Sequence, residues 1–188
     1  MTPEAYLQAE RRGSREEYGK FEFHDGKLIE MGGATKEHNR ISLNLSGLFW
    51  QGLMNKPFEA FHSDMRTFAP QANSYFYPDL VVCQGEAKFK DQEFDNLTNP
   101  SLIIEILSSS TASIDRGAKF AAYRSIDTLN EYLLIASQSM QVEHYQKQQQ
   151  HEWKIVIYEK PEDTLTLLGG EMTLSLRDIY RNLPFIQK

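Results

Sequence analysis

The segment Leu102-Ile103-Ile104-Glu105-Ile106-Leu107 limits the possible folds more than any other stretch of the chain. An unbroken apolar run of strand length belongs in a sheet covered on both faces, because neither set of alternating side chains is left for water. The run predicts a buried strand over 101–107. Glu105 is the exception inside it. A carboxylate buried without a partner is costly, so the position calls for a cation, a metal ion or a proton. From residue types alone, a structural ion pair with Arg116, Lys119 or Arg124 and a functional site account for Glu105 equally well.

The flanking sequence supplies helices and further strands. Thr2 before Pro3 predicts a short opening helix to about Arg11, ended by Gly13-Ser14. Asp25-Gly26 between strand-like runs at 18–23 and 27–31 predicts a tight hairpin. Thr35 caps a helix to about Met54, in which Ile41, Leu45, Leu48 and Phe49 recur at helical spacing. Segments 58–68 and 75–83 read as extended, with a turn at 70–74 between them, and 84–99 reads as a polar loop. Ser110-Thr111 opens a helix to about Arg124, and 129–136 is a second buried strand. Segments 141–146 and 153–159 form an antiparallel pair across a polar turn at 147–150, and 176–183 closes the chain as a short helix. The expected class is α/β in the mixed α+β sense, a central sheet flanked by helices, in one domain over 1–188.

Composition narrows the function. A chain of 188 residues closes one core unaided, and its 40% hydrophobic and 12% aromatic content is that of a folded protein. The single Cys83 excludes an intrachain disulfide and a four-cysteine zinc site, and points to a reducing cytoplasm. No apolar run approaches the roughly 20 residues of a membrane helix, and no apolar signal core follows Met1. A net charge of −6 argues against broad nonspecific affinity for nucleic acid. Phosphate contacts would have to be local, and Arg116, Lys119 and Arg124 form the basic island that would make them.

A second acid sits in a comparable setting. Tyr77-Pro78-Asp79-Leu80-Val81-Val82 places Asp79 just inside another apolar strand, where it and Glu105 would share a divalent cation. Alone, Pro-Asp is equally a turn signal. Lys119 lies about 12 Å along the helix from Thr111, at 1.5 Å per residue, a depth that matches Glu105. Asp115 and Lys119 also have the spacing of a surface helix pair. Glu30 and His38 are secondary candidates for the metal shell and for orienting a water or phosphate oxygen. A surface glutamate and a helix-capping histidine are the plainer accounts of them. Exposed-strand alternation explains His62 and Asp64, and core packing explains Tyr75, Phe76 and Tyr77 ahead of base stacking.

Taken in order, Tyr77 to Val82, Asn99 to Ser108, Ser110-Thr111, Asp115 to Arg124 and Glu131 to Ile135 resemble the Uma-two family of restriction-endonuclease-like proteins, in the PD-(D/E)XK nuclease superfamily. The likeness covers nearly the whole chain, including Asp25-Gly26 with Glu30 and the His38-Asn39 helix. It implies a restriction-endonuclease-like central sheet and a cytoplasmic, Mg²⁺- or Mn²⁺-dependent endonuclease acting on nucleic acid, DNA first. Asp79 matches the motif aspartate and Glu105 its acidic partner, with the Ile106 carbonyl as a third metal ligand. The chain departs from the pattern at Leu107, where the superfamily normally has lysine; Lys119 is the position the family's pattern suggests instead. Ala136 stands where an acid is frequent. Homodimerisation follows by superfamily analogy. The alternative is a catalytically silent nucleic-acid-binding or assembly module of the same fold.

Overall fold

The computed structural model describes residues 1–12, 19–109, 111–149 and 151–186. The predicted features at Gly13-Ser14, Tyr18, Ser110 and Gln150 lie outside the described residues. Helix α1 (Pro3–Arg11) starts as expected, with Thr2 Oγ1 accepting from Ala5 N at 3.2 Å. Strands β1 (Phe21–His24) and β2 (Lys27–Glu30) form the hairpin. Its turn has φ of 43° at Asp25 and 85° at Gly26, the left-handed region that Asp-Gly enters at least cost. Helix α2 (Lys36–Gly52) is capped by Thr35 Oγ1, which accepts from His38 N at 3.2 Å, and buries Ile41, Leu45 and Phe49.

Both long extended segments are broken, and their halves enter different sheets. Segment 58–68 splits into β3 (Phe58–His62) and β4 (Arg66–Ala69) at a turn closed by Met65 N donating to His62 O. Segment 75–83 splits into β5 (Ser74–Phe76) and β6 (Leu80–Gln84), because Pro78 has no N–H for a ladder and the chain crosses over at Tyr77-Pro78-Asp79. Within the segment expected to be loop, β7 (Asn96–Leu97) pairs parallel with β4. The remaining strands are β8 (Leu102–Leu107), β9 (Glu131–Ala136), β10 (Val142–Gln149) and β11 (Glu152–Tyr158). β10 continues through most of the expected turn, with a register shift between Lys147 and Gln149.

A helical run at 112–123, α3, joins β8 to β9. Thr111 precedes it but makes no side-chain capping bond. An unanticipated hairpin, β12 (Thr164–Leu167) and β13 (Met172–Ser175), buries Leu165, Leu167, Met172 and Leu174. Helix α4 (Leu176–Ile179) is shorter than expected.

The central sheet has the order β11-β10-β9-β8-β6-β3, with β8 and β9 parallel and the other pairs antiparallel. A second sheet, β2-β1-β5-β4-β7, and the β12-β13 pair complete the strands. Side-chain alternation gives β8 two buried faces. Leu102, Ile104 and Ile106 join a core with α2, whereas Ile103 and Leu107 join one with Ala122 and Tyr123 of α3. Among the described residues no helix is long and apolar enough to cross a membrane.

Tyr77 ties the crossover down. Its backbone N–H donates to Glu22 Oε1 at 2.9 Å, and its hydroxyl donates to Glu10 Oε2 at 2.6 Å and accepts from Arg66 at 2.8 Å. Arg66 also donates to Asn96 at 2.9 Å and pairs with Asp95. Removing the Tyr77 hydroxyl therefore takes a partner from two buried charged groups. We expect Tyr77→Phe to cost about 1–3 kcal/mol in urea unfolding. An unchanged midpoint would show that this network does not hold the crossover.

Candidate active site

Position 105 faces α3, on the same side of β8 as Leu107. Side chains four apart on an α-helix drift by about 40° per step, because each residue turns roughly 100°. In α3 the middle turn, Asp115–Lys119, is wound more widely as a π-helix, which offsets that drift. Asp115, Lys119 and Tyr123 are consequently all buried against the sheet. The Asp115 carbonyl accepts the Tyr132 hydroxyl from β9 at 3.0 Å, fixing this turn to the strand beside β8.

Lys119 Nζ sits among three carboxylates: Glu22 Oε1 at 2.9 Å, Glu105 Oε1 at 3.2 Å and Asp115 Oδ1 at 3.4 Å. Tyr123 donates its hydroxyl to the same Glu105 oxygen at 3.1 Å. Asp115 Oδ1 is buried and, among the described residues, has no hydrogen-bond partner beyond this ion pair. Asp79, at the crossover, is held at both oxygens: Oδ2 accepts from Ile106 N at 2.7 Å, and Oδ1 lies 2.9 Å from His38 Nε2. The second carboxylate of the sequence motif is thus fastened to the residue that follows Glu105.

All of these groups but Tyr123 line one cleft of about 370 Å³ at the C-terminal end of β8, and Glu30, Asn39 and Lys20 also line it. A wider cleft of about 610 Å³ lies at the opposite end of the central sheet, around Ser101, Asn130 and Gln146. Of its two carboxylates, Glu131 is occupied by His144 Nε2 at 2.7 Å and Leu168 N at 2.6 Å, and Glu171 lies 4.0 Å from Lys56 Nζ. The smaller cleft is where ionisable groups converge.

Burial pushes Glu105 well above the usual carboxylate range; Lys119 opposes the shift, and Asp115, Asp79 and Glu22 add to it. For Lys119, burial disfavours the charge, but Glu105, Glu22 and Asp115 outweigh it and hold the ammonium above its ordinary value. For His38, burial acts downward and is outweighed by the hydrogen bond and charge of Asp79, with Asp115 adding, so its pKa is raised.

Of the residues singled out in the sequence, the fold brings Asp79, Glu105, Ile106, Lys119, Glu30 and His38 to the cleft. It separates the basic island. Arg116 turns away to Glu143 of β10, at 2.6 Å, and Arg124 lines a different cleft with Lys147, His151 and Trp153. The helical phase decides this, since only every fourth side chain of α3 faces β8. Asp115 and Lys119 are buried groups and not a surface pair. Tyr75 and Phe76 are core residues, His62 bonds Ser42 at 2.8 Å and Asp64 pairs with Lys20 at 3.0 Å. Glu22 escaped sequence reading; its one signal was an acid between two aromatic residues, Phe21 and Phe23, in a short strand.

A mixed sheet that brings a Pro-Asp carboxylate and a mid-strand glutamate into one cleft has the architecture of the restriction-endonuclease-like class. The chain belongs to the Uma2 family, described as "Putative restriction endonuclease", whose family model matches residues 3–177. It is 43% identical over 153 residues to "Uncharacterized protein sll1609" of Synechocystis sp. PCC 6803, an alignment covering 81% of this chain and 84% of that protein. It is 36% identical over 185 residues to "Uncharacterized protein slr1290" of the same organism, covering 98% and 94%. In fold it matches the crystal structure of "a putative nuclease belonging to DUF820" from Anabaena variabilis, with a TM-score of 0.73 at 18% identity over 96% of this chain and 97% of the other.

The His38–Asp79 contact has a measurable consequence. His38 should titrate above the ordinary histidine value of about 6.5, and Asp79→Asn should lower it. A raised folded pKa means that the pair's contribution to stability is fully present below the unfolded value and is lost as pH rises through the folded one. NMR titration of the His38 ring checks this; an identical midpoint in Asp79→Asn would exclude the coupling.

Proposed function

We propose that the protein is a divalent-metal-dependent endonuclease that hydrolyses phosphodiester bonds, with DNA as its first substrate class, and that the chain is one such domain. The observation that carries this reading is the meeting of Asp79, Glu105 and Lys119 in one cleft, although Leu107 occupies the usual lysine position. Leu107 is core against α3, and Lys119 reaches Glu105 from that same helix. The cation is thus supplied from above the strand, where the common pattern supplies it from within.

The donor chemistry fits a hard cation. Among the described residues no three His, Cys, Asp or Glu side chains already converge as a metal cage. Mg²⁺ does not need one, since it is commonly held by one or two carboxylates together with water and substrate oxygens. Asp79 and Glu105, with the Ile106 carbonyl, would hold Mg²⁺ or Mn²⁺, and Asp115, whose Oδ1 faces Lys119 Nζ at 3.4 Å, adds negative potential beside them. Bound there, the ion would polarise a phosphoryl oxygen and lower the pKa of a bound water.

The chain's own groups divide the remaining work. Lys119 is held in its charged form, so it serves as a cation facing developing negative charge and not as a proton acceptor. His38 anchors one Asp79 oxygen and the Ile106 amide the other, which fixes the carboxylate's orientation. Cys83 is buried, with its thiol pushed up to about 12 by burial, and takes no part. A lone, sheltered cysteine is in keeping with a cytoplasmic setting.

One observation favours the catalytically silent alternative: Lys119 already offsets the buried charge of Glu105 and Glu22 without a metal. The two readings differ in their response to Mn²⁺, which should raise the melting temperature of a nuclease and leave a silent module unchanged.

Calorimetry should show Mn²⁺ binding that is lost in Asp79→Ala and Glu105→Ala; equal affinity in all three proteins would exclude this ligand pair. Lys119→Met should keep metal binding and slow single-turnover cleavage by about a hundredfold or more, the range for one transition-state contact. Normal cleavage by Lys119→Met would overturn its role while leaving the ligand pair standing.

A further inference from the structure

Four basic side chains line the Asp79–Glu105 cleft among the described residues: Lys20, His38, His62 and Lys119. Three of them are committed. Lys119 stands among three carboxylates, His38 Nε2 faces Asp79, and Lys20 Nζ donates to Ser63 O at 2.6 Å and pairs with Asp64. His62, among the described residues, meets hydroxyls instead: Ser42 Oγ lies 2.8 Å from its Nε2 and Ser63 Oγ 3.2 Å from its Nδ1. A hydroxyl both donates and accepts, so these contacts hold the ring in place whether it carries one proton or two.

The fold sets His62 beside Asp79. It ends β3 opposite Leu80, the residue after that aspartate. Residues opposite one another in a sheet share a face, and Leu80 packs with α2. His62 accordingly meets α2 as well, at Ser42, one turn beyond His38. The helix thus carries two rungs about 6 Å apart at 1.5 Å per residue, His38 on Asp79 and Ser42 on His62. A serine within a helix commonly bonds the carbonyl four residues back, as Ser46 does to Ser42 O at 2.8 Å. Ser42 turns its hydroxyl to His62 instead, and both side chains line the cleft.

We propose that Ser42 and His62 form a proton relay to the leaving oxygen of the phosphodiester. The relay rests on the nuclease reading and supplies what Lys119, held as a cation, does not: a proton for the departing alkoxide. As imidazolium, His62 donates Nδ1–H to Ser63 Oγ and Nε2–H to Ser42 Oγ, which frees the Ser42 hydroxyl proton for an acceptor in the cleft. A water oxygen bonds to phosphorus while the bond from phosphorus to the leaving oxygen breaks. The leaving oxygen takes the Ser42 proton, and Ser42 takes the Nε2 proton. An alcohol departs, the serine is restored and the imidazole is left neutral. The proton shed by the attacking water enters solvent, from which the exposed ring regains its charge. Histidine suits this cycle because it gains and loses a proton near neutral pH.

Neither side chain belongs to the core, so His62→Gln and Ser42→Ala should keep the wild-type circular dichroism and urea midpoint. Each should slow single-turnover DNA cleavage at saturating Mn²⁺ by about a hundredfold or more, the range for a general acid. The double variant should lose no more than either single one, because the two groups act as a unit. Ser42→Thr, which keeps the hydroxyl, should retain most of the rate. On bis(p-nitrophenyl) phosphate, whose nitrophenolate leaves without a proton, the losses should shrink. Fluorescence anisotropy of DNA binding in EDTA and Mn²⁺ calorimetry should match wild type in both single variants.

A wild-type rate of DNA cleavage in His62→Gln overturns the relay and leaves the nuclease reading standing. Equal losses on DNA and on the nitrophenyl diester also overturn it. So does a fall in DNA affinity in EDTA as large as the fall in rate, which would make His62 a phosphate anchor. A wild-type chain that cleaves no DNA overturns the relay and the nuclease reading together.

Discussion

One ammonium group, Lys119 Nζ, holds the two main sheets and α3 together at the point where each delivers a carboxylate. Glu22 arrives from β1 in the second sheet, Glu105 from β8 in the central sheet, and Asp115 from the same helix as the lysine. Carboxylates buried at this depth are tolerated only beside positive charge or when protonated. The rest of the local architecture meets that requirement. The π turn aims Asp115 and Lys119 together, Tyr123 adds a hydroxyl to Glu105, and the Tyr77 amide holds the Glu22 oxygen that faces the lysine.

The same cluster explains how the chain departs from the PD-(D/E)XK pattern without dispersing its site. On a strand, residues two apart share a face, so the usual lysine projects beside the glutamate. Here Leu107 occupies that place and is buried at the α3 contact, while the helix returns a lysine over the vacated position. Two carboxylates beyond the motif pair, Glu22 and Asp115, then surround the cation. Burial leaves Glu105 with a raised pKa, with Asp115, Asp79 and Glu22 adding to the shift, and Asp115 Oδ1 faces the Lys119 ammonium at 3.4 Å.

Asp79 links this cluster to the open part of the cleft. It lies where the chain leaves one sheet for the other, a crossing that Pro78 enforces and Tyr77 anchors. Its oxygens are divided between the β8 backbone and the first turn of α2. All four layers of the site, two sheets and two helices, therefore converge within a few residues of Glu105.

Much of this was legible locally. A fully apolar strand with one acid, a Pro-Asp step, Thr-capped helices and an Asp-Gly hairpin each follow from short-range stereochemistry and from alternation, which depend only on neighbouring residues. The motif residues Asp79 and Glu105 could be named for that reason, and Lys119 from its depth along the helix and from the family resemblance. Glu22 and Asp115 could not, because each is unremarkable in its own segment and is buried only by elements distant in sequence. The basic island dissolved on the same ground: Arg116, Lys119 and Arg124 are neighbours along the chain, but the phase of α3 and the position of Glu143 on β10 send them apart. The sequence by itself determined the opening helices, the Asp-Gly hairpin, the buried strands β8 and β9 and which acids needed an explanation, but not the β12–β13 hairpin or β7. Tertiary structure alone decided which strands shared a sheet and which charges met, because burial and ion pairing are properties of long-range contact.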